Sequence, residues 1–158
     1  MPEKQPLVSI LIPVFNAEAL LPECLESATG QSLRDIEIVC VDDASTDDSA
    51  NVILRHQAID ERIRLIAHRR NQGEGAARNT ALDAARGDYV FHLDADDTLP
   101  PSALEKLWSI ASEHGSQMVK GGFSITDSDG RMIASNHEAS PAVVINTSIR
   151  TSAFLKRV

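Results

Sequence analysis

Three carboxylates, Asp94, Asp96 and Asp97, fall within four positions directly after the mostly apolar run Tyr89-Val90-Phe91-His92-Leu93. Like charges this close repel, so such a cluster calls for a partner that offsets the repulsion. A strand interior tolerates it badly; a strand tip opening into a cleft tolerates it well. A divalent cation is the simplest partner. Hard ions such as Mg²⁺ take carboxylate oxygens and commonly carry substrate phosphates on their remaining positions. A second acidic pair, Asp42-Asp43, ends another apolar run, Ile36 to Val41. Ser45-Thr46-Asp47-Asp48-Ser49 follows, with side chains suited to capping a helix. A third polar segment, His68-Arg69-Arg70-Asn71-Gln72-Gly73-Glu74-Gly75, leads into a helix-like stretch. It brings backbone N–H groups and Arg78 toward a nucleotide or phosphate, aided by the helix N-terminus.

The elements that must position these residues follow from periodicity. Leu7 to Phe15 is apolar and β-branched, a strand buried on both faces, ended by Pro13 and Asn16. Ala17 to Ala28 carries apolar residues at helical spacing and stops at Gly30. Pro22 fits this segment best as part of the first turn of a main helix preceded by a short lead-in. Ile36 to Val41 is a second strand, followed by a helix to about Gln57. Ile63 to Ala67 is a third strand, and Ala76 to Ala85 a small-residue helix closed by Gly87. Asp88 to Leu93 is a fourth strand, Pro100-Pro101-Ser102 opens a helix to about His114, and Gln117 to Lys120 is a fifth strand. The β-α unit repeated four times predicts an α/β fold, a mostly parallel sheet with helices on both faces. After Gly121-Gly122, Phe123 to Thr126 and Arg131 to Ala134 flank Asp127-Ser128-Asp129-Gly130, a hairpin signal. Ala142 to Ile145 reads as one more strand, and Thr147 to Val158 as a short terminal helix or a frayed tail.

In an open α/β sheet, ligands bind beyond the carboxyl ends of the strands. Four polar loops meet on that edge: Pro13 to Asn16, Asp42 to Asp47, Arg69 to Asn79, and Asp94 to Asp97. Helix capping accounts for Ser45 and Asp47 but not for acids at the strand tip itself. Gly73-Glu74-Gly75-Ala76-Ala77-Arg78 is similar to part of a dinucleotide fingerprint. Arg78 stands where the third glycine belongs, however, and the unit is the third βα, so a nicotinamide cofactor is disfavoured.

Composition narrows the class. The 158 residues are 42% hydrophobic and 24% charged, which suits one globular domain with a core. A net charge of −8 argues against nucleic acid held on a basic patch. Cys24 and Cys40 offer neither a disulfide framework nor metal-ligand spacing and read as buried thiols. No apolar run approaches the roughly 18 residues that span a bilayer. The expectation is a cytoplasmic protein without a signal peptide or transmembrane segment, with peripheral association at the inner face of the membrane left open.

Four ordered motifs carry a resemblance. They are Val8-Ser9-Ile10-Leu11-Ile12-Pro13-Val14-Phe15-Asn16, then Val41-Asp42-Asp43-Ala44-Ser45-Thr46-Asp47, then Asn71-Gln72-Gly73 with Ala77-Arg78-Asn79, then Gly87-Asp88-Tyr89 leading to Leu93-Asp94-Ala95-Asp96-Asp97. Over about residues 7 to 110 the chain resembles the inverting family-two glycosyltransferases of the GT-A fold. The resemblance implies transfer of a sugar from a nucleotide donor, a UDP-sugar, to a hydroxyl acceptor on a glycan, lipid-linked or other molecule, with bacterial surface polysaccharide as the setting. It implies that Pro13 and Phe15 line the base and ribose, that Asp43 hydrogen-bonds the base, and that Asp42 is structural. Arg78 would stand near the nucleotide, Asp94 would contact the ribose or a metal-bound water, and Asp96 would bind Mn²⁺ or Mg²⁺. Asp97 would shape the loop or face the donor sugar.

The family's general base lies well downstream of the metal motif. Asp127, Asp129, His137 and Glu138 fit a surface hairpin or loop better, so none is assigned, and the base is expected outside this chain. Residues 1-158 then read as a single nucleotide-sugar-binding domain, with 1-120 the donor-binding core and 121-158 a truncated acceptor-side portion. The alternative functions are a nucleotide-sugar-binding module without turnover and a sugar-phosphate nucleotidyltransferase. The latter should show a Gly- and Lys/Arg-rich loop where Pro13-Val14-Phe15-Asn16 stands.

Overall fold

The computed structural model describes residues 5–127, 131–136 and 154–157. Its centre is strand β1 (Val8–Val14), flanked in parallel by β2 (Ile36–Asp42) on one side and β4 (Tyr89–His92) on the other. Strand β3 (Ile63–Ala67) extends the sheet beyond β2, also in parallel. Every residue of β1 and β2 is buried, as continuous β-branched runs require when helices cover both faces. Helices α1 (Leu21–Thr29), α2 (Ser49–Gln57) and α4 (Ala103–His114) share one core with Val8, Ile10, Ile12 and Val14 of β1. Helix α3 (Glu74–Ala84) covers the opposite face, where Ala77 and Ala81 pack on Leu11, Val39, Val41 and Val90. The period of two along β1 thus sends alternate residues to the two layers. Both cysteines are buried thiols.

The sheet continues through β8 (Phe154–Arg157) to β5 (Met118–Lys120), in the order β3-β2-β1-β4-β8-β5. β8 runs antiparallel to both neighbours. Over Phe154–Arg157 this corrects the terminal helix or frayed tail expected over Thr147 to Val158; the rest of that span lies outside the described residues. Without β8, the facing edges of β4 and β5 would leave backbone donors and acceptors unpaired. Filling that slot outweighs a local preference that four residues express only weakly. The strand expected at Ala142 to Ile145 lies outside the described residues. The hairpin forms as β6 (Phe123–Thr126) and β7 (Met132–Asn136), a separate two-stranded sheet.

Helix α1 begins at Leu21, after the short lead-in expected before Pro22. Ala17 to Leu20 form a turn, closed by the Leu20 and Leu21 amides on the Ala17 carbonyl, and Pro22 sits in the first helical turn. The chain moves outward from β1 to β2 and β3, then returns to β4 on the other side of β1. The switch point therefore lies between the tips of β1 and β4, where such sheets place their ligands.

Candidate functional site

At the β4 tip, the Leu93 amide donates to the Leu11 carbonyl (3.0 Å), one residue past the strand. The chain then turns, with the Asp97 amide on the Asp94 carbonyl (3.0 Å). The turn brings carboxylate oxygens of Asp94, Asp96 and Asp97 within 4.8 Å of one another, Asp94 half-buried and the other two exposed. Although Asp97 keeps an exposed surface, partial desolvation of its carboxyl in the turn, reinforced by the charges of Asp96 and Asp94, pushes that carboxyl above its ordinary value. The donor set is all oxygen and anionic, and it has open positions, which fits a hard divalent ion that keeps room for phosphate oxygens.

Arg78, on α3, reaches across the switch point. Its Nη2 donates to Asp94 Oδ1 (2.5 Å), and its Nε donates to Glu74 Oε1 (3.0 Å). Burial works against the guanidinium charge, but Glu74 and Asp94 outweigh it and hold the pKa above its ordinary value. One cation therefore already stands against the acidic cluster, on the side facing α3.

Asp43 follows β2 and is 2% exposed. Its Oδ1 accepts from His68 Nδ1 (2.6 Å) and the Gln72 amide (2.9 Å). Its Oδ2 accepts from the amides of Gly73 (2.7 Å) and Gln72 (3.1 Å). Burial opposes ionisation, but the bonds from His68, Gln72 and Gly73 hold the carboxyl below the usual carboxylate range. Asp42 accepts the Ser45 amide (3.3 Å), the structural task expected of it.

The capping expected of Ser45 and Asp47 is met in part: Asp47 Oδ1 accepts the amide of Ser49, the first residue of α2 (3.0 Å). Helix α2 has no side-chain cap bond from the residue before it, Asp48. Ser45 Oγ instead accepts the Asn16 amide (3.0 Å) from the loop after β1. Asn16 Oδ1 accepts the Thr46 amide (2.8 Å), Asp47 Oδ2 the Glu18 amide (3.0 Å), and Ser49 Oγ the Ala17 amide (2.9 Å). Glu18 Oε2 accepts the Asp48 amide (2.7 Å) in return. These bonds zip two loops together, with Asn16 (φ 50°) and Ala44 (φ 58°) in the left-handed region at its margin. Asn adopts that conformation more readily than Ala, because its short polar side chain bonds locally.

Pro13 and Phe15 divide at this wall. Pro13 is buried inside β1. β4 pairs with β1 only as far as Leu11, so the missing N–H of Pro13 falls where the partner strand has ended. Phe15, 50% exposed, presents an aromatic surface at this tip. The structure thus gathers Phe15, Asp43, Arg78, Asp94 and Asp96 along one sheet edge, while Pro13 shapes it from within. His68, Thr80, Asn16 and Glu74 belong to the same edge, and sequence reasoning gave none of them a role. His68 directly follows β3, which was a signal, but its pairing with Asp43 bridges 25 residues and no local spacing reveals it.

A mostly parallel sheet with a carboxylate cluster at its switch point, faced by an arginine from a helix start, places its polar residues where open α/β sheets bind their ligands. The family model for glycosyl transferase family 2 matches residues 9–155. An uncharacterized glycosyltransferase of Haemophilus influenzae is 38% identical over 128 residues, 81% of this chain and 51% of that protein. The structure of Staphylococcus aureus TarS 1-349 in complex with UDP-GlcNAc superposes with a TM-score of 0.66 at 29% identity, covering 70% of this chain and 32% of that one. The mannosyltransferase PcManGT of Pyrobaculum calidifontis, in complex with GDP-Man and Mn²⁺, superposes with a TM-score of 0.68 at 26% identity, covering 80% and 37%. This chain belongs to glycosyl transferase family 2. It spans about half the length of the Haemophilus relative and about a third of each of the two solved chains.

Proposed function

We propose that this chain binds the donor in a metal-dependent, inverting glycosyl transfer from a UDP-sugar to a hydroxyl acceptor. The observation that carries this reading is the Asp94–Asp96–Asp97 cluster at the β1/β4 switch point, with Arg78 tied to Asp94. The UDP-GlcNAc held by TarS and the GDP-Man and Mn²⁺ held by PcManGT support it by likeness.

On this reading Phe15 lies against the base and Asp43 stands at the base end of the cleft. Arg78 meets the nucleotide from the α3 side, and Asp94 faces the ribose or a water on the metal. Asp96 is the protein ligand to Mn²⁺ or Mg²⁺. What the cation supplies when bound is charge stabilisation of the departing nucleoside diphosphate. Inversion requires one displacement, with a general base taking the acceptor proton from the opposite face. No residue of this chain is assigned that task. Asp127 Oδ1 accepts the Arg131 amide (2.8 Å) within the hairpin turn, and Asp129, His137 and Glu138 lie outside the described residues. Residues 1-120 form the donor-binding core and 121-158 an acceptor-side portion. The acceptor is a glycan, lipid-linked or other hydroxyl. Among the described residues no helix is long and apolar enough to cross a membrane, and the proposed location is the cytoplasm, including the inner membrane face.

Calorimetry with UDP, with and without Mn²⁺, tests the site. Binding should strengthen with Mn²⁺, and Asp96→Ala should remove at least the roughly tenfold that loss of even an outer partner of a metal ligand costs. An unaltered chain that ignores UDP, or an Asp96→Ala variant that binds it as well, sinks the assignment.

A further inference from the structure

His68 sits at the junction of β3, the Arg69–Gly75 turn and α3, with only 8% of its side chain exposed. Its two ring nitrogens face different elements. Nδ1 lies 2.6 Å from Asp43 Oδ1, and Nε2 lies 2.9 Å from Thr80 Oγ1 on α3. An ionised carboxylate only accepts, so Nδ1 carries a proton and the ring orientation is fixed. Its backbone is held as well, the His68 amide donating to the Asp42 carbonyl (2.8 Å).

The chain Asp43–His68–Thr80 encloses the turn. The same Asp43 carboxylate takes the amides of Gln72 and Gly73. Gly73, at φ 88°, makes the left-handed step into α3 that a side chain would resist. Thr80 lies one turn further along α3, two residues from Arg78. Asp43 thus fastens the start of the helix, and His68 fastens its second turn to the same anchor. The residue so aligned is Arg78, whose contact with Asp94 closes the loop back to the acidic cluster.

We propose that His68 is a positioning residue of the nucleoside diphosphate site. Braced between Asp43 and Thr80, it fixes the roll of α3 and the order of the Gln72–Gly73 turn, and so places Arg78 and the first amides of α3 for the donor. This rests on the donor-site reading above. A hydroxyl–imidazole bond is the component least needed for folding, since Thr80 is only half-buried. Breaking it should leave a folded chain with a misplaced helix start.

The test is UDP affinity by calorimetry in the presence of Mn²⁺, with thermal melting measured alongside. Thr80→Val keeps the shape and removes the hydroxyl; it should bind UDP up to about tenfold more weakly at a temperature where it is fully folded, the upper size expected for one part-buried hydrogen bond in the positioning chain. Thr80→Ser restores the hydroxyl and should return affinity to within about twofold of the unaltered chain. In ¹⁵N spectra the His68 ring should show a protonated Nδ1 and an Nε2 resonance that shifts in Thr80→Val. Folded Thr80→Val that binds UDP as tightly as the unaltered chain overturns the inference alone, as does a Thr80→Ser that fails to recover. Failure of the unaltered chain to bind UDP overturns the donor-site reading, and this inference with it.

Discussion

Glu37, near the start of β2, offers a perturbation that separates stability from ligand binding. Its side chain is 3% exposed. Oε1 accepts from Ser9 Oγ (2.7 Å) and from the Arg86 amide, while Oε2 accepts from Arg64 Nη1 (2.8 Å) and Arg86 Nε (3.0 Å). Glu37→Gln keeps an oxygen for the Ser9 and Arg86 backbone side but turns an NH₂ toward two guanidinium groups. Two charge-assisted bonds are lost, each about 1.5–3 kcal/mol when fully buried. Arg64 and Arg86 are 35% and 47% exposed, so water replaces much of what they lose. Discounting by about half leaves a destabilisation of about 2 kcal/mol. Burial works against the Glu37 charge, but Ser9, Arg86 and Arg64 outweigh it and hold the carboxyl below its ordinary value. A depressed folded pKa means the stabilisation is complete above the unfolded carboxylate value and disappears as pH falls through the folded one. Urea unfolding should therefore show the full loss at about pH 7 and a shrinking loss toward about pH 3. UDP affinity should not change, since Glu37 lies at the end of the sheet opposite the strand tips. A loss under about 0.5 kcal/mol at neutral pH, or one equally large in acid, would refute the network's role.

Two further outcomes follow from named contacts. A Cβ at Gly87 would meet the Ser9 amide nitrogen at 2.6 Å and the Val8 carbonyl carbon at 2.9 Å, both backbone, so Gly87→Ala should cost about 2 kcal/mol or more in urea unfolding. Asp97, with its pKa raised by burial and by Asp96 and Asp94, favours the protonated form in the fold. Stability in EDTA should fall as pH rises from the ordinary carboxylate range through that raised value, and thermal melts of Asp97→Asn should lack this fall.

The layered fold was legible because its signals are long or punctuated. β1 and β2 are uninterrupted apolar runs, and α3 is built of small residues between Gly73 and Gly87. The acids at the strand tips were legible for the same reason, since a charge directly after an apolar run has few structural uses. Two kinds of feature were not. β8 carries too little sequence to show a period, and its existence depends on the gap between β4 and β5. The loop zipper around Asn16 and the Asp43–His68–Thr80 chain join residues whose pairing is fixed by strand order. Ser45 and Asp47 have the composition of a cap; Asp47 holds the first amide of α2 through Oδ1, while the neighbouring loop takes the Ser45 hydroxyl and Asp47 Oδ2.

Asp43 carries two demands that a single carboxylate meets in sequence rather than together. As the residue proposed to face the base, it must offer a lone pair to a ligand N–H. Its oxygens are already engaged by His68, Gln72 and Gly73. The four contacts are unequal: the Gln72 amide is shared between Oδ1 at 2.9 Å and Oδ2 at 3.1 Å, and the Oδ2 branch is the longest of the set. A shared donor loses least when one branch is given up, so on that proposal Oδ2 would admit a base N–H at lowest cost. His68 and Gly73 would hold the carboxylate in place during such an exchange. On the proposed base contact, order in the turn and occupancy of the base site would draw on the same two oxygens, so a perturbation that loosens the turn should change nucleotide affinity even though it touches no ligand atom.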